Sequence, residues 1–169
     1  SDKPHEECAV AGISIDALEA AGITYNALLA MQHRGQEGSG IAVANYGSII
    51  AHKNVGLVSE VFTKDSLESL PLSNVAVGHN RYSTTGRNTI KNVQPFVTEY
   101  LTGRIATAHN GNITNAKGIK EMLKKEGIHF EATSDSEVVS SLIAYYSVKL
   151  KNVLKGVIKA ANIFEGAFS

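Results

Sequence analysis

The sequence predicts an α+β fold with mainly antiparallel sheets. Two observations carry that prediction. Strand-like segments come in pairs joined by short turns, and helix-like segments follow one another toward the end of the chain. A length of 169 residues sets the scale at one domain, and a composition 43% hydrophobic and 19% charged supplies enough apolar surface for a sizeable core.

The elements follow in order. Residues 8–15, CAVAGISI, are small and β-branched and read as a buried strand. Residues 24–31 read as a short helix with Ala27, Leu28 and Met31 on one side. Residues 41–44 and 48–52 form a hairpin about Asn45-Tyr46-Gly47. Residues 75–82, VAVGHNRY, are a further strand, and residues 97–101 and 104–108 a second hairpin about Thr102-Gly103. Residues 116–126 are a helix stopped by Gly127. Ser134-Asp-Ser-Glu137 is a capping box opening a helix to about Tyr146, and residues 151–163 are the last helix. Gly166-Ala-Phe-Ser169 reads as the start of a strand, which suggests a domain incomplete at its C-terminus; a frayed tail is the plainer alternative.

Composition narrows the function. Sixteen basic and sixteen acidic residues cancel, which argues against a nucleic-acid partner. No apolar run reaches the roughly 20 residues of a membrane span, and the polar, acidic first seven residues do not read as a signal peptide. A cytoplasmic setting is therefore expected. One cysteine can make neither an internal disulfide nor an all-cysteine metal site. A module binding metal through His5 and Cys8 lacks a second nearby ligand pair, so no metal site is expected.

Four segments are too polar and glycine-rich for packing alone. In Glu6-Glu-Cys-Ala-Val-Ala-Gly12, Cys8 is either a core thiol or, once the bond before it is cut, a nucleophile whose own α-amine serves as base. Gln32-His-Arg-Gly-Gln-Glu-Gly-Ser-Gly40 holds an arginine and three glycines after a helix, more than a simple C-cap requires. Gly78-His-Asn-Arg-Tyr-Ser-Thr-Thr-Gly86 ends a strand with an arginine able to fork onto a carboxylate. Ala108-His-Asn-Gly-Asn112 is either a tight turn or an oxyanion hole, where an amide and a glycine N–H converge on one oxygen. Asp135, at a helix start, could hold an ammonium group while an arginine holds the matching carboxylate. Nucleophile, base, oxyanion hole and zwitterion clamp together describe a glutaminase.

The segments ECAVAGI, QHRGQEGSG, GHNRYSTTG, NVQPF, AHNGNITN and TSDSE resemble, in order, the class II glutaminase domain of the amidophosphoribosyltransferase family. QHRGQE, RYSTTG and VQPF favour it over the glucosamine-6-phosphate synthase family, which typically carries an RWATHG-like segment. The resemblance implies the N-terminal-nucleophile fold, a four-layer αββα sandwich with two antiparallel sheets. It implies Cys8 as nucleophile, Asn110 and Gly111 as oxyanion hole, and Arg81 and Asp135 holding the α-carboxylate and α-amine of L-glutamine. Arg34 and Gly35 would lie near the nucleophile, and Thr84 would line the glutamine pocket. Residues 1–7 resemble a propeptide removed autocatalytically, with residues 8–169 a partial amidotransferase domain. Ammonia would pass to phosphoribosyl pyrophosphate in a phosphoribosyltransferase domain that this sequence lacks, in de novo purine synthesis. No cofactor is expected in this chain; magnesium and, in some relatives, an iron–sulfur cluster belong to that further part, and the full-length form is expected to be a homo-oligomer. Ala9 and Ala11 depart from the common ECGVFGI. The alternatives are an inactive glutamine-binding fragment and an amidotransferase domain serving another acceptor.

Overall fold

The computed structural model describes residues 8–82, 89–101 and 103–169. The leader, residues 1–7, and Thr84 lie outside the described residues. In chain order the elements are β1 (Ala9–Ser14), α1 (Ala20–Ala30), β2 (Gly38–Asn45), β3 (Ser48–Val55), the short helices α2 (Val58–Val61) and α3 (Lys64–Glu68), β4 (Val75–Arg81), β5 (Phe96–Tyr100), β6 (Gly103–Thr107), β7 (Gly111–Ile113), α4 (Ala116–Lys125), α5 (Asp135–Lys149), α6 (Val153–Ala161) and β8 (Gly166–Phe168). Every strand pair is antiparallel: β1-β4-β2-β3 form one sheet, β5-β6 a hairpin and β7-β8 a third pair.

The layers follow from strand alternation, which sends successive side chains to opposite faces. On β4, a Cβ at Gly78 would meet Thr24 and Leu28 of α1, and the Asn80 amide donates to the Leu28 carbonyl at 2.8 Å. That face looks at α1. His79 and Arg81 therefore look the other way, and His79 meets Gln94, just ahead of β5, at 3.1 Å. Helix α5 packs on the far side of β5 and β6. The result is helix, sheet, sheet, helix. Leu28, Ile41, Val43, Val58 and Phe62 fill the core under α1, while Leu123, Val138, Leu142 and Ala160 fill the core shared by α4, α5 and α6.

Several boundaries differ from expectation. Helix α1 starts at Ala20 rather than Thr24, and its buried stripe is Ala20, Thr24 and Leu28, spaced by four. Ala27 and Met31 are only half-buried, because that spacing turns them off the sheet-facing stripe. Strand β2 begins at Gly38, inside the segment read as a loop. The first hairpin turns on Tyr46-Gly47 alone, both at positive φ (43° and 81°), a two-residue turn whose twist suits the flanking strands. Ser134 caps α5 by accepting from the Ser136 N–H, whereas the Glu137 carboxylate accepts from the N–H groups of Glu131 and Ala132 instead of closing a reciprocal box. Helix α6 opens at Val153 because Lys151 sits at φ 51° and Asn152 caps from its side chain. The expected strand at 166 is present, paired with β7.

Candidate active site

Cys8 stands one residue ahead of β1, at the end of the sheet where β4 finishes. The register Ala9↔Asn80 brings the next step, Cys8, beside Arg81, and Gly38↔Arg81 places the start of β2 on the other flank. The half-buried Cys8 thiol donates to the Tyr82 carbonyl and accepts from the Tyr82 N–H, both at 3.3 Å. Burial pushes the thiol above its ordinary pKa, opposed by the Tyr82 hydrogen bond and then by the Arg81 charge. Held this way, with its amine in a peptide bond, the thiol is a poor nucleophile at neutral pH.

Two expected site residues meet the Cys8 carbonyl. The Asn110 amide donates to it at 2.9 Å and Arg34 Nε at 3.3 Å. Arg34 lies in the single turn Gln32–Arg34 that follows α1. Gly35 presses against the end of β4 so closely that a Cβ there would sit 2.8 Å from the carbonyl carbons of Asn80 and Arg81. That contact, rather than a positive φ, explains the glycine.

Asn110-Gly111 is not a tight turn. Asn110 exchanges both backbone hydrogen bonds with Ser169, at 3.0 and 2.8 Å, and Gly111 opens β7. In an antiparallel ladder the next residue has its N–H on the opposite edge. The Gly111 N–H therefore points away from β8. The Asn110 side-chain amide carries two hydrogens, so one remains when the other serves the Cys8 carbonyl. The Asn110 amide thus reaches the backbone of Cys8, and the Gly111 N–H that follows it faces away from β8.

Arg81 is 7% exposed and lies 3.7 Å from the Glu37 carboxylate, while the Glu37 N–H donates to the Arg81 carbonyl at 3.0 Å. Glu37 was not singled out from sequence; its signal was its place inside the Arg- and Gly-rich segment. Asp135, first residue of α5, accepts from the Ile113 N–H at 3.1 Å, two residues beyond Gly111. Sequence reasoning also passed over a buried polar cluster: His79, Gln94, His109 and Ser136. Each lies in one of the motif segments quoted above, GHNRYSTTG, NVQPF, AHNGNITN and TSDSE, where no role was assigned to it. Among the described residues no group of three His, Cys, Asp or Glu side chains could hold a metal ion, and no helix is long and apolar enough to cross a membrane.

Residues 79–169, more than half of the chain, match the glutamine amidotransferase domain family. The chain belongs to that family. The matched region contains Arg81, Asn110, Gly111 and Asp135, and similarity to individual relatives extends over Cys8, Arg34 and Gly35 as well. Amidophosphoribosyltransferase 3, chloroplastic, of Arabidopsis thaliana is 48% identical over 168 residues, 99% of this chain and 31% of that protein. The solved structure described as the allosteric regulatory enzyme of purine biosynthesis superposes with a TM-score of 0.82 at 37% identity, covering 95% of this chain and 34% of that one. Glutamine phosphoribosylpyrophosphate amidotransferase from B. subtilis, complexed with ADP and GMP, superposes with a TM-score of 0.80 at 36% identity, covering 94% of this chain and 33% of that one. This amidotransferase domain therefore has the N-terminal-nucleophile fold, and the chain spans about a third of the length of the relatives it matches.

Proposed function

We propose that the chain hydrolyses the side-chain amide of L-glutamine with Cys8 as an N-terminal nucleophile, once residues 1–7 have been removed. The observation that carries this reading is the convergence of the Asn110 amide and Arg34 on the Cys8 carbonyl, at the strand end shared with Arg81.

Freeing the Cys8 amine converts a non-basic amide into an amine with a pKa of about 8. That amine takes the thiol proton as sulfur attacks the glutamine amide carbon. Asn110 and the Gly111 N–H stabilise the oxygen as it becomes negative. The carbon–nitrogen bond then breaks, the amine returns the proton to the leaving nitrogen, and ammonia departs. The resulting thioester is hydrolysed by water, releasing glutamate and restoring the thiol. Arg81 holds the α-carboxylate, in place of or alongside Glu37, and Asp135 holds the α-ammonium. Arg34 and Gly35 fix the nucleophile's backbone.

The names of the relatives support phosphoribosyl pyrophosphate as the ammonia acceptor, and so a step in purine biosynthesis. That acceptor would bind in a phosphoribosyltransferase domain outside this chain, together with magnesium. The iron–sulfur cluster expected of some relatives would find no site in this chain, since one cysteine supplies too few thiolates. The test compares full-length protein beginning at Cys8 with protein shown by intact mass to retain Ser1. Glutamine hydrolysis should appear only in the first, and Cys8→Ser should abolish it. Equal turnover by the unprocessed protein would overturn the reading.

A further inference from the structure

The backbone between β6 and β7 has a hydrogen-bonding problem. His109 lies in the gap between these strands, buried, with no ladder neighbour supplied for it in either sheet. Gln94 supplies one. Its Oε1 accepts from the His109 N–H at 2.7 Å and its Nε2 donates to the His109 carbonyl at 2.9 Å. The side-chain amide thus imitates a strand partner for the residue directly before Asn110. The same Nε2 lies 3.0 Å from Ser136 Oγ, and that hydroxyl lies 3.0 Å from His109 Nδ1. Ser136 is the neighbour of Asp135.

Two residues earlier, Asn92 makes a similar pair of contacts at the start of α5. Its Oδ1 accepts from the Thr133 N–H and its Nδ2 donates to Thr133 Oγ1, both at 3.1 Å. Thr133 directly precedes Ser134, the cap of α5, and stands two residues before Asp135.

The 92–95 segment is itself wedged. Lys53 Nζ donates to the carbonyls of Val93 and Pro95 at 2.6 and 3.1 Å, and lies 5.0 Å from the centre of the Phe96 ring. A Cβ at Gly40 would lie 2.1 Å from the Gln94 carbonyl oxygen, and one at Gly38 would lie 2.8 Å from a Val93 methyl. A strut that cannot slide fixes whatever its side chains hold.

We infer that Gln94 and Asn92 are positioning residues for the glutamine site, Gln94 setting the place of the oxyanion donors Asn110 and Gly111, and Asn92 setting that of Asp135. This rests on the function proposed above. The two amides act on different stages of the reaction. An oxyanion donor works when charge develops, whereas the ammonium contact is made in the bound ground state as well.

The experiment uses processed full-length protein and the variants Gln94→Ala, Gln94→Glu and Asn92→Ala. Gln94→Glu keeps the acceptor oxygen and removes the donor at nearly constant shape. Both Gln94 variants should lower kcat for glutamine hydrolysis about 10- to 100-fold with KM changed less than about threefold, the scale of a displaced catalytic group. Asn92→Ala should raise KM about tenfold with kcat changed less than about threefold. Hydrogen exchange should quicken around residues 109–111 in the Gln94 variants and around 133–135 in Asn92→Ala. Wild-type turnover with variants that lose kcat and KM alike, in step with their melting temperatures, would overturn this inference alone. A wild-type protein without glutamine turnover would overturn the proposed function as well.

Discussion

Gly111→Ala probes the claim that β8 holds the oxyanion strand in place. A Cβ at Gly111 would lie 2.2 Å from the Ala167 carbonyl oxygen and 2.6 Å from Phe168 Cα, where ordinary contact begins at 3.4 Å. Both neighbours are backbone, so no side chain can swing aside, and β8 must retreat by about 1 Å. Gly111 also sits at φ 148°, which side-chain-bearing residues rarely adopt. Backbone strain of about 1–3 kcal/mol adds to weakening of the two Asn110–Ser169 hydrogen bonds, about 1 kcal/mol each. A total loss of about 3–5 kcal/mol is expected. Displacement of Asn110 and the Gly111 N–H by that distance should lower glutaminase kcat about 100-fold. The matched control is Gly118→Ala in α4, where an added Cβ meets nothing within 4 Å. That change should stabilise by about 1 kcal/mol through helix propensity and leave turnover intact. Thermal melts and steady-state glutamine hydrolysis on processed full-length protein decide it. Gly111→Ala melting with wild type and turning over at its rate would refute the reasoning.

The other expectations follow from single contacts. On the proposed mechanism Asn110→Ala removes a donor used most strongly in the transition state, so glutaminase kcat should fall about 10²–10³-fold while glutamine affinity changes little, as titration into the Cys8→Ser background would reveal. Arg81→Ala and Asp135→Ala should each weaken glutamine binding roughly ten- to a hundredfold in that background, because each leaves a charged α-group without its partner; unchanged affinity removes the residue from the clamp. Burial, the largest cause, lowers the His79 pKa from 6.5 to about 3. A depressed pKa means the unfolded chain binds the proton first, so stability is full above about 6.5 and falls as pH drops toward about 3. Urea midpoints should therefore decline on acidification more steeply in wild type than in His79→Gln, and parallel declines would count against it.

The α+β class, the hairpins and the late helices were legible because strand and helix periodicities are local properties of the chain. Residues 8–15 were legible as a strand but not as a buried one: β1 lies at the sheet edge, starts at Ala9 and buries only that residue. The start of α1 was not legible, since Glu19 is its cap without a side-chain hydrogen bond and Ala20–Gly22 carries no periodic signal. Strand β7 was hidden as well. Three residues that open on Gly111, just after Asn110, look like part of a turn until β8, more than fifty residues later, supplies the partner.

The sequence by itself determined which chemical groups are present: one thiol at position 8, two motif arginines, an Asn-Gly pair and an acid at a helix start. Only the tertiary structure decided which of them meet. Asn110 reaches the Cys8 carbonyl across 102 positions of chain, and Gln94 joins His109 to Ser136 across 15 and 42. A side-chain amide has the same donor and acceptor wherever it stands. Burial between packed layers, where water cannot substitute, turns Gln94 and Asn92 from polar residues in an apolar run into fixed partners of particular backbone groups.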